Sequence, residues 1–321
     1  MAKKKHGQSG NPAKQHHHHA TKYKTKVKPV SWLAGARLRT LPIAIAPVLA
    51  GAGVAYRAHH FSWTLSLLAL AVALFLQIGV NYANDFSDGI RGTDANRVGP
   101  GRLVGSGSKR PKQVLAAALI FFGLAAAAGL AITIITQIWW LIAVGIIAII
   151  AAWFYTGGMK PYGYIGLGEV AVFVFFGLVA TEGTTFIQTQ AFSRWALAGG
   201  IAIGLLACAV LMINNIRDID TDRESGKKTL AVRMGKRASI VVFCLMLALP
   251  LIGVGALGIL FAGMLYLQFL WILFIPAGVI AIWAKTPAEY ILVLKITTAA
   301  TLVFGAAFGL LVAEPWVPFI A

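Results

Sequence analysis

Long apolar segments separated by short polar loops dominate this chain. Runs such as AAALIFFGLAAAAGLAITII carry no polar face, and they extend for about 20 residues, the length of a helix that crosses a bilayer core. The pattern predicts an all-α, polytopic membrane protein with nine transmembrane helices around a central cavity. The nine predicted spans are 41–56, 63–83, 114–135, 138–155, 169–187, 196–215, 239–261, 264–284 and 295–313.

The first 30 residues depart from this pattern, because they are basic, polar and poor in hydrophobic side chains. We interpret residues 1–30 as a disordered cytoplasmic arm and residues 31–321 as one transmembrane domain. The arm has no apolar run of the kind found in a signal peptide. The run of four consecutive histidines at 16–19 could bind a metal or could simply be solvated, and we assign the arm no role in chemistry.

Composition supports a membrane protein, since 58% of the residues are hydrophobic and only 12% are charged. The net charge of +17 could suggest nucleic acid, but the basic residues are sorted by loop. Alternate loops hold 26 of the 28 lysines and arginines, and the opposite side holds only Arg57 and Arg194. This asymmetry predicts a cytoplasmic N-terminus, a lipid bilayer as the partner, and no nucleic acid.

All six aspartates fall in two clusters on the predicted cytoplasmic side. They are Asp85, Asp88 and Asp94 after the second span, and Asp218, Asp220 and Asp222 after the sixth. Asparagines introduce each cluster, namely Asn81 and Asn84 in the first and Asn214 and Asn215 in the second. The matching Asn-x-x-x-Asp spacing indicates a weak internal repeat of two helical halves, each ending in an acidic motif.

Helical periodicity places the polar residues of each cluster on one face. Asn81, Asn84, Asp85 and Asp88 fall at i, i+3, i+4 and i+7, and Asn215, Asp218 and Asp222 fall at i, i+3 and i+7. Two such faces could point their oxygens at each other across a cavity. A hard cation such as Mg²⁺ would relieve the repulsion, so Asp85, Asp88, Asp218 and Asp222 are the predicted metal ligands. The alternative is that these carboxylates pair with loop arginines.

Basic residues and glycines accompany the aspartates in two predicted cytoplasmic cap loops, 84–113 and 216–238. Arg91, Arg97, Lys227 and Lys228 could neutralise the oxygens of a diphosphate, although any one of them could serve only as an orientation signal. A charged head held at the mouth of an apolar cavity suggests a polyprenyl diphosphate as substrate. The chain has no GxxxxGK[ST] phosphate loop.

Four stretches of the chain resemble the UbiA superfamily of intramembrane prenyltransferases. They are RLRTLPIAIAPVLAG (37–51), NYANDFSDGIRGTDANRVGPGRLVGSG (81–107), YTGGMKPYGYIGLGE (155–169) and NNIRDIDTDRESGKKTLAVRMG (214–235). Within the superfamily, the likeness is greatest to the branch of menaquinone biosynthesis. The first motif departs from the tighter NDxxDxxxD pattern, because Asp94 follows Asp88 by six positions.

The resemblance implies a reaction and roles for particular residues. It implies transfer of a polyprenyl group to 1,4-dihydroxy-2-naphthoate with loss of CO₂ and diphosphate, giving demethylmenaquinol, with Mg²⁺ between the motifs. It also implies a bacterial cell membrane with the active site facing the cytoplasm. It assigns Asp85, Asp88, Asp218 and Asp222 to catalysis and metal binding. It assigns Asn81, Asn84, Arg91, Arg97, Asn215, Lys227 and Lys228 to the substrate.

The acceptor site is less sharply defined by the sequence. Arg39 could meet the naphthoate carboxylate or lie at the membrane interface. Tyr155 and Lys160 could position or deprotonate the acceptor hydroxyl, although Tyr155 could equally be an interfacial aromatic residue. The phenylalanines of 172–177 could contact a carbocation or pack in the core.

Two rival hypotheses remain open at this stage. The same fold could prenylate another aromatic acceptor, such as 4-hydroxybenzoate. The weak internal repeat and the polar helix ends also suit a transporter. Transporter sites usually lie near the middle of the bilayer, however, whereas these aspartates lie at one face.

Overall fold

The computed structural model describes residues 29–93 and 99–314, and the chain within these ranges contains helices but no β-strand. The predicted all-α class is confirmed. The α-helices are α1 (Trp32–Ala36), α2 (Pro42–Arg57), α3 (Trp63–Arg91), α4 (Pro111–Thr136), α5 (Leu141–Phe154), α6 (Gly168–Val172), α7 (Ala180–Thr189), α8 (Arg194–Arg217), α9 (Ile219–Glu224), α10 (Leu230–Gly258), α11 (Trp271–Trp283) and α12 (Pro287–Ala313). A π-helical segment (Phe173–Val179) joins α6 to α7, and 3₁₀ turns occupy Leu38–Thr40, Tyr162–Ile165 and Ala262–Leu270.

Seven helical segments of the described chain are long and apolar enough to cross a membrane, which makes this a multi-pass membrane protein. An eighth crossing is a broken one, in which Trp32–Thr40 and Pro42–Arg57 meet at an angle of 48°. The remaining predicted span corresponds to α5, which has only 14 residues. The predicted number of nine full-length crossings is therefore not confirmed, although a helix lies at each of the nine predicted positions.

Helix ends on the predicted cytoplasmic side differ from those that hydropathy predicts. The helix α3 continues to Arg91 rather than ending at 83. The helix α10 begins at Leu230 rather than 239, but it is broken at Gly235, whose φ of 77° and ψ of 165° are not helical. Side-chain caps explain some of these polar extensions, since Thr229 accepts a hydrogen bond from the Val232 N–H at the start of α10. As a result, parts of the predicted cap loops 84–113 and 216–238 are helical.

The helix α8 lies at the centre of the bundle. Its most apolar stretch is 72% buried, against 22–50% in the other six long segments, and it packs against α2, α10, α12 and the π-helical segment. Glycines allow this close packing. A Cβ on Gly177 would lie 2.5 Å from the carbonyl oxygen of Gly200, so only glycine fits there without a shift of the backbone.

The helices α2 and α12 also touch backbone to backbone. A Cβ on Gly305 would lie 2.4 Å from the Ala46 carbonyl oxygen, and a Cβ on Gly309 would lie 2.5 Å from that of Leu49. These two glycines form a Gly-x-x-x-Gly face that lets membrane helices approach closely. The contact fixes α2, one wall of the cavity described below, against the bundle.

We expect Gly305→Ala to destabilise the protein by about 2 kcal/mol, because the new methyl group would overlap the α2 backbone. Thermal unfolding in detergent would measure this effect. Gly123→Ala is the matched control, since Gly123 is also helical but has no atom within 4 Å of the added Cβ. The control should gain roughly 0.5–1 kcal/mol from the higher helix propensity of alanine. Equal melting temperatures for the two variants would contradict the packing argument.

Candidate active site

A cavity of about 370 Å³ extends through the bundle between α2, α3, α5, α7 and α8. Most of its wall is apolar, as shown by Val72, Leu76, Ile132, Val144, Phe175 and Phe176. Polar residues line the end where both aspartate motifs lie, namely Arg37, Arg39, Asn81, Asn84, Asp85, Arg102, Tyr155, Tyr162, Asn214 and Arg217. The cavity thus suits a ligand with a charged head and a hydrocarbon tail.

The first motif occupies the last turns of α3, as its spacing predicts. The carboxylate of Asp85 accepts hydrogen bonds from the Leu103 N–H at 2.8 Å and the Val104 N–H at 3.0 Å. Leu103 is fully buried, and a Cβ on Gly35 would lie 2.5 Å from its side chain. Asp85 therefore holds the loop after α3 against the helix that carries it.

Asp88 joins the first motif to the second. Its Oδ1 accepts a short hydrogen bond from the Tyr164 hydroxyl, and its Oδ2 lies 3.3 Å from Lys227 Nζ and 3.6 Å from Arg102 Nη2. The same Lys227 ammonium lies 3.9 Å from Asp222 Oδ1. The two acidic helix ends therefore meet around one cationic group, on the same side of the bundle.

The second motif departs from a continuous helical face. The helix α8 ends at Arg217, and Asp218 forms the break before α9. Arg217 donates two hydrogen bonds to the Asp218 carboxylate, at 2.8 and 2.7 Å, and a third to Asn214 Oδ1 at 2.9 Å. Asn215 instead donates to Glu169 Oε1 at 3.1 Å, so it is Asn214 that lines the cavity.

Three other predicted substrate residues make structural contacts around the first motif. The Asn81 amide donates to the Ala36 carbonyl at 2.9 Å, which satisfies an end of α1. Asn84 accepts a 2.6 Å hydrogen bond from the Thr156 hydroxyl, and Arg91 donates short hydrogen bonds to the carbonyls of Thr156 and Gly158. These contacts fix the loop after α5 beside α3.

The predicted acceptor residues divide into cavity and surface positions. Arg39 and Tyr155 line the cavity, and the Tyr155 ring packs edge-on against Tyr162. Lys160 is exposed and does not line the cavity.

Of two substrate residues predicted in the cap loops, Lys228 and Arg97, the structure describes only Lys228. The Lys228 side chain is also exposed, while its backbone N–H donates to the Tyr164 carbonyl at 2.7 Å. Arg97 lies outside the described residues, as do Asp94 and the first 28 residues of the arm.

Sequence reasoning missed two residues at this site, Arg37 and Tyr164, whereas Arg102 is one of the basic residues of the first predicted cap loop. Arg37 adopts a left-handed conformation, with φ of 56°, at the break after α1, and it lines the cavity. Arg102 lines the cavity and contacts Asp88. Tyr164 was detectable only as part of the PYGYIGLGE stretch. Burial, followed by the nearby Asp88 carboxylate, raises the pKa of Tyr164 above its ordinary value, so it remains a hydrogen-bond donor at neutral pH.

The donor set at this site fits a divalent cation. Asp88 and Asp222 come from separate motifs and approach a single positive charge, and Mg²⁺ typically uses one or two carboxylates together with substrate phosphates. Across residues 29–93 and 99–314, no three acidic, histidine or cysteine side chains are close enough to form a metal site alone. A bound cation would therefore need oxygens from the substrate or water as well.

Comparisons with known proteins agree with this geometry. A model of the UbiA prenyltransferase family matches residues 44–290. The 1,4-dihydroxy-2-naphthoate octaprenyltransferase of Mycobacterium tuberculosis is 54% identical over 236 residues, which cover 70% of this chain and 80% of the relative. The protein of the same name from Escherichia coli is 41% identical over 213 residues, covering 64% of this chain and 69% of the relative.

Solved structures share the fold. The apo structure of a UbiA homolog from Aeropyrum pernix K1 is similar with a TM-score of 0.64 and 16% identity, covering 87% of this chain and 98% of that one. A UbiA homolog from Archaeoglobus fulgidus bound to DMAPP and Mg²⁺ has a TM-score of 0.58 and 16% identity, covering 87% and 99%. At this level of identity the likeness extends to the fold alone.

We expect Asp88→Ala to lower the free energy of unfolding by about 3 kcal/mol, because it leaves the buried cations Arg102 and Lys227 without their shared carboxylate. Thermal melts of the purified protein without added metal would measure the loss. Asp220→Ala is the matched control, since Asp220 is 91% exposed and pairs only weakly with the exposed Arg223. A melting temperature for Asp88→Ala equal to that of the control would refute the charge-pairing argument.

Proposed function

The chain belongs to the UbiA prenyltransferase family, and we propose that it transfers a polyprenyl group to 1,4-dihydroxy-2-naphthoate. The observation that carries the proposal is a cavity with an apolar interior and a charged mouth at the two aspartate motifs. The names of the relatives from M. tuberculosis and E. coli support the choice of acceptor. The products would be demethylmenaquinol, CO₂ and diphosphate.

The apolar interior would hold the polyprenyl chain, and the polar mouth would hold the diphosphate. Arg102, Arg217 and Lys227 are buried or nearly so and lie beside the motif aspartates, where they can neutralise phosphate oxygens. Arg91 and Lys228 would add positive charge at the edge of the diphosphate site. We extend the proposal to Arg97, which belongs to the predicted cap loop 84–113. Neutralising the diphosphate makes it a better leaving group, so the C–O bond can break to give an allylic cation.

We propose Mg²⁺ as the cofactor, held by Asp88 and Asp222 with oxygens from the diphosphate or water. Asp85 and Asp218, the other two predicted ligands, would reach the ion only by giving up their hydrogen bonds to backbone amides and to Arg217. When bound, it would supply positive charge that stabilises the departing diphosphate. The carboxylates would hold the positive charge of the Mg²⁺ ion between the two motifs. A divalent ion accords with the solved UbiA homolog that is bound to DMAPP and Mg²⁺.

The acceptor would enter the mouth beside Arg39 and Tyr155, both of which line the cavity. Arg39 could pair with the naphthoate carboxylate, and Tyr155 could hydrogen-bond to its hydroxyl. The ring carbon that bears the carboxylate would attack the allylic cation. Loss of CO₂ then returns the bonding electrons to the ring, which restores aromaticity. The apolar wall keeps water from competing for the cation.

The charge distribution supports an orientation for the protein in a bacterial cell membrane. The mouth and both motifs lie on the side that carries nearly all of the lysines and arginines, which is the cytoplasmic side by the positive-inside rule. Arg57 and Arg194 lie at the opposite helix ends. The proposed site therefore faces the cytoplasm and draws its prenyl substrate from the bilayer.

The acceptor can be tested by competition in purified membranes supplied with Mg²⁺ and a polyprenyl diphosphate. We expect a prenylated product from 1,4-dihydroxy-2-naphthoate, with matching release of CO₂ and diphosphate, and at least tenfold less from 4-hydroxybenzoate. Chelation of divalent ions should stop the reaction, and added Mg²⁺ should restore it. Product from 4-hydroxybenzoate alone would reject the proposed acceptor.

The aspartate assignment can be tested with charge-neutral variants of similar size. We expect Asp85→Asn and Asp218→Asn each to reduce kcat by on the order of 100-fold or more, because each removes a carboxylate from the charged mouth. Asp220→Asn is the internal control, since its side chain is exposed and outside the cavity. Rates of prenyl transfer measured at saturating substrate would distinguish these variants. Near-normal rates for both Asp85→Asn and Asp218→Asn would reject the assignment.

A further inference from the structure

Tyr164 contacts the first aspartate motif and the lysines next to the second, from a loop that carries neither motif. It lies in the 3₁₀ turn Tyr162–Ile165, between α5 and α6. Its hydroxyl donates to Asp88 in the first motif, and its carbonyl accepts from the Lys228 N–H next to the second. Opposite ends of one residue therefore bind the two halves of the site.

The ring of Tyr164 makes two further contacts, with cations from the two sides of the site. Lys227 Nζ lies 4.7 Å from the ring centroid, and Arg91 Cζ lies 5.4 Å from it. Both distances are within the range of cation–π attraction. The ring thus fixes the ammonium that Asp88 and Asp222 share, and it fixes the arginine that holds the loop after α5.

The hydroxyl of Tyr164 also decides which oxygen of Asp88 is available. Oδ1 is occupied by Tyr164, whereas Oδ2 is the oxygen that faces Lys227 and Arg102. Without the hydroxyl, the carboxylate could turn both oxygens toward these two cations. An incoming metal ion would then have to displace a tighter ion pair.

We infer that Tyr164 is a positioning residue that holds Asp88 and Lys227 in the arrangement a divalent cation requires. The inference rests on the proposed function in one respect only, that the two motifs bind such a cation. Removal of a partner that orients a metal ligand in this way typically lowers the metal affinity about 10–100-fold. The loop between α5 and α6 would accordingly belong to the site, although its only charged residue before Glu169 is the exposed Lys160.

The test is a titration of the full-length protein in detergent with Mn²⁺, followed by electron paramagnetic resonance of the free ion. We expect Tyr164→Phe to raise the Mn²⁺ concentration at half-saturation about tenfold, because it keeps the ring but loses the hydroxyl. The midpoint of a titration does not depend on the fraction of protein that is folded. In the prenyl-transfer assay, saturating Mg²⁺ should restore the kcat of this variant, which it would not do for a simple folding defect.

Tyr290→Phe is the matched control. Tyr290 likewise donates its hydroxyl to another group, the Ala284 carbonyl, and likewise has a lysine, Lys236, at 5.4 Å from its ring centroid. It has no contact with either motif among its hydrogen bonds and ring contacts in the described chain. The control should bind Mn²⁺ as the unaltered protein does.

Different outcomes separate this inference from the proposed function. A midpoint for Tyr164→Phe within twofold of the unaltered protein, or an equal shift in Tyr290→Phe, would overturn the inference while leaving prenyl transfer intact. A tenfold shift in a protein that prenylates no naphthoate would uphold the inference and reject the proposed acceptor. No Mn²⁺ binding by the unaltered protein would overturn the inference together with the metal assignment.

Discussion

Burial of carboxylates at the ends of two membrane helices is the constraint that organises this protein. Asp85, Asp88 and Asp218 are all at least 95% buried, and a buried charge costs several kcal/mol unless it is paired and hydrogen-bonded. The partners come from elsewhere in the chain or from the adjacent turn. Backbone amides after α3 satisfy Asp85, Arg217 satisfies Asp218, and Lys227 joins Asp88 to Asp222. The loops that follow these helices must therefore fold onto the helix ends for the charges to be tolerated.

The bundle beneath supplies the cavity that these charges close. The buried helix α8 provides a fixed wall, against which glycines let the neighbouring segments approach. Phe173–Val179 faces it as a π-helix, a geometry that is common at functional sites because the extra residue in the turn changes the direction of the side chains. Phe175, Phe176 and Val179 of this segment all line the cavity. Phe173 instead packs on Gly204, so the sequence hypotheses of cavity lining and core packing each describe part of the segment.

The features that depend on composition and on helical periodicity could be predicted from the sequence. Long apolar runs gave the helices, and the spacing of Asn81, Asn84, Asp85 and Asp88 gave the polar face of α3. Prediction from the sequence failed where tertiary contacts interrupt the helical periodicity. The helix break at Asp218 separates the second motif into two pieces, so Asn214 rather than Asn215 lines the cavity. Tyr164 and Arg37 were not predicted, because their positions depend on how a turn and a helix break sit in space. Helix ends beyond the apolar core depend on caps such as Thr229, which hydropathy does not detect.

The shortness of α5 has a consequence for the surrounding lipid. Its 14 residues extend about 21 Å, whereas the hydrocarbon core of a bilayer is about 30 Å thick. Such a hydrophobic mismatch is relieved by local thinning of the membrane beside the short helix. Val144, Gly145 and Ala148 of this helix line the cavity on their inner side. Thinning of the bilayer beside α5 would bring phospholipid headgroups closer to the level of the cavity. The charged head of a lipid substrate would then travel a shorter distance from the headgroup layer to the cavity.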